Sequence, residues 1–167
     1  MSEKTENYVV KNYQYAFKAG EKFNMDPLVI LAQGSFESGW GTSNLSKKHN
    51  NFFGITAGGS TNEFWKGGVY QAQNQYKLKF RTYETPQDSF HDFGRLISRN
   101  YKTAHAAGKS YKDYANKIAH SPYISEKNGD NRNAYMRGLI SNYEIILDIA
   151  KKKIFSSKED SPLEPQL

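Results

Sequence analysis

The chain has 167 residues and no cysteine, with a net charge of +6 from 23 Lys and Arg against 17 Asp and Glu. This length suits one domain that buries most of its apolar surface unaided, and the lack of cysteine excludes disulfides and thiolate chemistry. A basic balance, with an isoelectric point near 9.3, favours anionic partners. The 14% of aromatic residues are spread along the chain rather than set out as an RNA-binding sheet motif, so no nucleic acid is expected.

His49, His91, His105 and His120 show no metal-ligand spacing, and neither a metal nor a cofactor is expected. The stretch M-S-E-K-T-E-N-Y at the start is polar, without the apolar centre of a secretory signal, and no run approaches transmembrane length. No membrane insertion is expected.

Val9, Tyr13, Ala16, Phe17, Gly20 and Phe23 recur at helical spacing, which predicts an amphipathic helix over 5–23. Asp26-Pro27 is a second helix start, a capping carboxylate followed by proline in the first turn. Leu28, Val29, Ile30, Leu31, Ala32 and Phe36 make that helix apolar nearly all round, the pattern of a buried central element. Gly39 is placed to stop it in a left-handed turn. One ionisable residue, Glu37, sits near its end, where apolar surroundings and the negative helix terminus both disfavour a carboxylate. A carboxyl with a raised pKa is what a general acid working near neutral pH requires; a surface glutamate at a frayed helix end is the plainer alternative. Trp40 between two glycines, and the turn N-N-F-F-G after a basic stretch at Lys47, Lys48 and His49, would give the acid an aromatic wall.

Beyond Gly58-Gly59-Ser60, segments 69–73 and 77–83 predict a hairpin, the second with Leu78, Phe80 and Thr82 alternating with Lys77, Lys79 and Arg81. Thr85-Pro86-Gln87-Asp88 restarts a helix, Ser110 caps a shorter one, and 131–153 closes the body. The tail from Ser156 has two prolines and little to bury, so disorder is expected there. The expected layout is one domain over 1–155, mainly helical α+β with a small β-hairpin lobe, and a tail over 156–167.

E-S-G-W-G-T-S-N-L (Glu37 to Leu45), followed closely by N-N-F-F-G-I (Asn50 to Ile55), resembles the paired signature of the bacterial glucosaminidase-type peptidoglycan hydrolases, glycoside hydrolase family 73. The likeness continues through F-R-T-Y (Phe80 to Tyr83) and the segment around Tyr123. It implies a lysozyme-like fold with the lobe beside an active-site cleft, a peptidoglycan glycan strand as substrate, and Glu37 as catalytic acid.

Such hydrolysis usually needs a second carboxylate. Thr61-Asn62-Glu63-Phe64 matches the family's T-x-E-aromatic segment and makes Glu63 the first candidate, with Glu84 also available and Asp88 better used as a helix cap. Aligning Trp65-Lys66-Gly67 with a similar tripeptide of some members would instead put Gln71 or Gln73 where the carboxylate belongs. In a third arrangement the substrate's 2-acetamido group is the nucleophile. Tyr123, which resembles a family tyrosine near the acid, would then steady it, although its usual Thr-Asp context is replaced by I-S-E-K-N-G-D-N. Trp40, Asn51, Phe53 and Trp65 are candidate substrate-binding residues, each with a packing or turn-holding role as the alternative.

The expected activity is cleavage of β-1,4 links after N-acetylglucosamine, with cleavage after N-acetylmuramic acid, or a catalytically silent wall-binding module, as alternatives. The domain is expected to act as a monomer on the bacterial wall, in the periplasm or outside the cell. With no leader visible, delivery would fall to a specialised secretion system or phage lysis, with a secretion carrier or a cognate inhibitor (immunity) protein as partner, or the leader has been removed.

Overall fold

A computed structural model describes residues 2–126 and 128–156. Among the described residues, seven α-helices and one two-stranded sheet follow in chain order: α1 (Glu3–Phe23), α2 (Pro27–Ser38), α3 (Asn44–His49), β1 (Val69–Gln71), β2 (Lys79–Arg81), α4 (Pro86–Asn100), α5 (Lys102–Ala106), α6 (Tyr111–Ala119) and α7 (Gly129–Ala150). A π-helical turn, Lys151–Phe155, ends the last helix. The expected tail lies outside the described residues from 157 onward.

The central element is α2, as its composition predicts. Asp26 Oδ1 accepts from Leu28 N at 2.8 Å, Pro27 takes the first turn, and Gly39 closes the other end at φ 58°. Leu28 to Ser35 are buried without a break, between α1 on one side and α7 on the other. Phe36 departs from the expected apolar cylinder: it is half-exposed, with its ring lying 4.8 Å from that of Tyr135 on α7. Gly138 makes this crossing possible, since a Cβ there would stand 2.3 Å from the Phe36 ring.

The hairpin forms with Val69 opposite Arg81, Tyr70 opposite Phe80 and Gln71 opposite Lys79. Two polar clusters fasten this lobe to the helices. Asn51 is buried and saturates the N-N-F-F-G turn, donating to Ile55 O and Arg81 O and accepting from Phe53 N and Ile55 N. Asp92, buried on α4, accepts from Arg81 Nη1 at 2.8 Å, Tyr83 OH at 2.5 Å and Asn62 Nδ2 at 3.1 Å. Three lobe groups thus converge on one carboxylate, leaving its charge compensated.

Candidate active site

Between the lobe and the helical body lies a cleft of about 720 Å³. Glu37, Phe53, Gly54, Arg81, Tyr101, Tyr123, Glu126 and Tyr135 are among its lining residues. Glu37 reaches it from the last turn of α2, and burial raises its pKa above the usual carboxylate range, partly opposed by a hydrogen bond from Tyr135. The two oxygens of that carboxyl face different groups. Oε1 accepts from Tyr135 OH at 2.8 Å, whereas Oε2 lies toward Gly54, where a Cβ would come within 3.6 Å of it. Gly54 is itself a lining residue of the cleft and has φ +63°, a conformation glycine adopts without strain, so Oε2 lies on the cleft side of the carboxyl. A proton on Oε2 is therefore the one available for donation.

Tyr123 lines the same cleft, with its ring set edge-on to Tyr101 at 5.4 Å. Burial and the nearby Glu37 charge push its hydroxyl well above the usual phenol range, so it is a neutral donor at any working pH. Its loop is held by Arg132 of α7, which donates to Ala119 O, Ser121 O and Ile124 O at 2.8 to 2.9 Å.

The other sequence candidates fall elsewhere. Glu63 is exposed in a separate depression with Lys22, Asn62, Phe64, Arg95 and Arg99, and is not among the residues lining the Glu37 cleft. The reason is local: Asn62 Oδ1 accepts from Phe64 N and Trp65 N, a tight turn that sends Phe64 inward against His91 and Glu63 outward. Glu84 is also exposed and outside the cleft, and β1, which follows Trp65-Lys66-Gly67, carries Gln71 rather than a carboxylate.

Trp40 sits at φ 59°, which turns it away to pack edge-on against Tyr8 at 5.7 Å, in a depression distinct from the cleft. Trp65 is buried in the lobe beneath Arg81, 4.1 Å from its guanidinium, and donates to Gly68 O. Asn51 holds the turn from inside, while Phe53 is part of the cleft floor, stacked on Phe93 at 4.2 Å.

Of the expected candidates, then, Glu37, Tyr123 and Phe53 meet in one cleft. Tyr135, Gly54 and Glu126 also line it and Arg132 holds its loop, and none of the four carries a local signal of that role in the sequence. Tyr135 reads there as one more apolar position of the last helix. Glu126 follows Tyr123 by three residues, lines the cleft, and accepts a hydrogen bond from Asn131 Nδ2. Among the described residues no group of His, Asp and Glu side chains is arranged to hold a metal ion.

A helical body, a hairpin lobe and a carboxyl of raised pKa in the cleft between them define a lysozyme-like domain of the glycoside hydrolase type. Residues 13–147 match the Glucosaminidase family, described as mannosyl-glycoprotein endo-beta-N-acetylglucosaminidase, and the chain belongs to that family. It is 33% identical over 113 residues to the peptidoglycan hydrolase FlgJ of Vibrio parahaemolyticus, covering 59% of this chain and 35% of that protein. It is 32% identical over 120 residues to the exo-glucosaminidase LytG of Bacillus subtilis, covering 64% of this chain and 41% of that one. The chain thus matches well under half the length of either relative. The fold superposes on the glycoside hydrolase domain of FlgJ from Salmonella typhimurium with a TM-score of 0.70 at 24% identity, over 96% of this chain and 99% of that domain. A type VI secretion system effector-immunity complex from Pseudomonas protegens shares the fold at a TM-score of 0.65 and 14% identity, over 88% of this chain and 96% of that one.

Proposed function

We propose that the domain hydrolyses β-1,4 glycosidic bonds of the peptidoglycan glycan strand, after N-acetylglucosamine, with Glu37 as general acid. The observation that carries this reading is the split environment of the Glu37 carboxyl: Tyr135 occupies Oε1, Oε2 faces the cleft, and burial favours the protonated form. Glu37 donates the Oε2 proton to the leaving glycosidic oxygen as the C1–O bond breaks. The substrate's 2-acetamido oxygen closes on C1 to form an oxazolinium, which Tyr123 steadies by a hydrogen bond. Water then opens that ring at C1, giving one proton back to Glu37. This route is favoured over a Glu37–Glu63 pair because Tyr123 shares the cleft with Glu37 and Glu63 does not.

The natural setting proposed for this chemistry is the bacterial wall, reached outside the cytoplasm. Among the described residues no helix is long and apolar enough to cross a membrane. An inhibitor protein covering the Glu37 cleft is the partner this setting implies, in keeping with the fold shared with a protein of an effector-immunity complex.

Purified peptidoglycan treated with wild type, Glu37→Gln, Tyr123→Phe, Glu63→Gln and Glu126→Gln, with the fragments reduced and weighed, tests the reading. New reducing ends at N-acetylglucosamine, a loss on the order of a hundredfold or more in Glu37→Gln, a large loss in Tyr123→Phe and an active Glu63→Gln support it. Ends at N-acetylmuramic acid would make the domain a muramidase. A Glu126→Gln as inactive as Glu37→Gln would replace substrate assistance by two carboxylates, and binding of walls without release would make it a wall-binding module.

A further inference from the structure

We infer that Gln33 is a positioning residue for the reaction proposed above, its buried amide fixing the direction in which Tyr135 presents its hydroxyl proton to Glu37. The inference rests on that reading of Glu37.

Gln33 is fully buried on α2, one turn before Glu37. Its side chain meets two tyrosines from two helices. Oε1 accepts from Tyr114 OH of α6 at 2.5 Å, and Nε2 donates to Tyr135 OH of α7 at 3.4 Å.

Proton counting sets the polarity of this cluster. With the Glu37 proton on Oε2, or with the carboxyl ionised, Oε1 can only accept, so Tyr135 must spend its single proton there. Tyr135 can then only receive from Gln33, which requires the NH₂ end of the amide on that side. The oxygen end must face Tyr114, whose hydroxyl donates to it. Tyr114 is fully buried, and reversing the amide would leave its proton without this acceptor, a loss that burial makes costly. Tyr114 is therefore the latch, and Gln33 the element that carries its direction to the acid. A hydrophobic side chain could fill the same volume, but it would not set that direction.

The test is the pH dependence of glycan release by wild type, Gln33→Glu and Tyr114→Phe, each checked for folding by thermal unfolding. Gln33→Glu replaces the donor facing Tyr135 by an acceptor, drawing the Tyr135 proton away from Glu37. Tyr114→Phe removes the latch and lets the amide reverse, with the same consequence for Tyr135. A general acid that loses its donor ionises at higher pH, so the alkaline limb of the kcat/KM profile should move upward in both variants. The value of kcat should fall by up to about tenfold, while KM stays within about twofold. A folded variant of either kind with the wild-type profile, or with lower kcat and an unmoved limb, overturns the inference and leaves the reaction standing. If Gln33→Glu does not fold, Tyr114→Phe decides alone. Absence of release by wild type would overturn the reaction itself, and this inference with it.

Discussion

Tyr135 and Glu37, 98 residues apart in sequence, meet through a 2.8 Å hydrogen bond that occupies Oε1 and leaves Oε2 to the cleft. Burial raises the carboxyl's pKa and this bond holds it down, so the acid is tuned by two opposing influences. In Tyr135→Phe the hydrogen bond disappears and the pKa rises further. The alkaline limb of glycan release should therefore move to higher pH, with kcat at the acid side reduced by roughly tenfold or less, since a positioning contact rather than the proton donor is lost. A pH profile of wild type and variant checks this, and a limb that moves down would contradict it.

The same burial makes a prediction about stability. Because the folded-state pKa of Glu37 is raised, the native state binds more protons than the unfolded state between the ordinary glutamate value and the raised one, and stability falls as pH increases through that window. Above it, ionised Glu37 destabilises the fold by its full amount. Glu37→Gln, which removes the ionisation and retains the shape, should therefore unfold at a higher temperature than wild type at neutral pH. The advantage should vanish below the ordinary glutamate range. Thermal unfolding at several pH values measures it, and an equal or lower midpoint for Glu37→Gln at neutral pH would show that the site is not strained toward the acid form.

Local signals made the central helix legible in the sequence: Asp26, Pro27 and Gly39 mark its ends, and the unbroken apolar run from Leu28 explains its burial. Glu37 could be found because it is the ionisable group on that run. Its partner could not, because Tyr135 occupies an ordinary periodic position of α7 and only the crossing of α2 and α7 at Gly138 brings the two together. Loop residues carry no comparable local signal. The side of the chain that Trp40 faces depends on one left-handed backbone residue, and that of Glu63 on an Asn62 turn. Asn51 holds the turn, and its polar atoms are taken up by backbone groups and leave little for a sugar.

Arg132 links α7 to the loop that presents Tyr123, with three carbonyl acceptors on one guanidinium. Arg132→Ala leaves those carbonyls to water and frees the loop, so Tyr123 loses its fixed distance from Glu37. Misplacement of a reacting group by about 1 Å costs on the order of a hundredfold, and kcat should fall toward that value without loss of the fold. Hydrogen exchange at the amides of Ser121, Tyr123 and Ile124 should quicken in parallel. Arg132→Lys supplies one donor group in place of the planar fork and should recover part of the loss at most.

Asp92 is the point at which the lobe is fastened to the body. Its carboxylate is almost completely buried, as is most of the Arg81 side chain opposite it, 1% and 12% exposed respectively. Removing one partner of such a pair strands the other's charge, at a cost of roughly 3–5 kcal/mol. Asp92→Ala also deprives Tyr83 OH and Asn62 Nδ2 of their acceptor, so a loss in that range is expected in urea unfolding. The loss should be smaller when Arg81→Met is combined with it, because no cation then remains unpaired. Since Arg81 also lines the cleft, the double variant should recover stability without recovering glycan release. If the two single losses simply add in the double variant, the pair is not the clamp that its geometry describes.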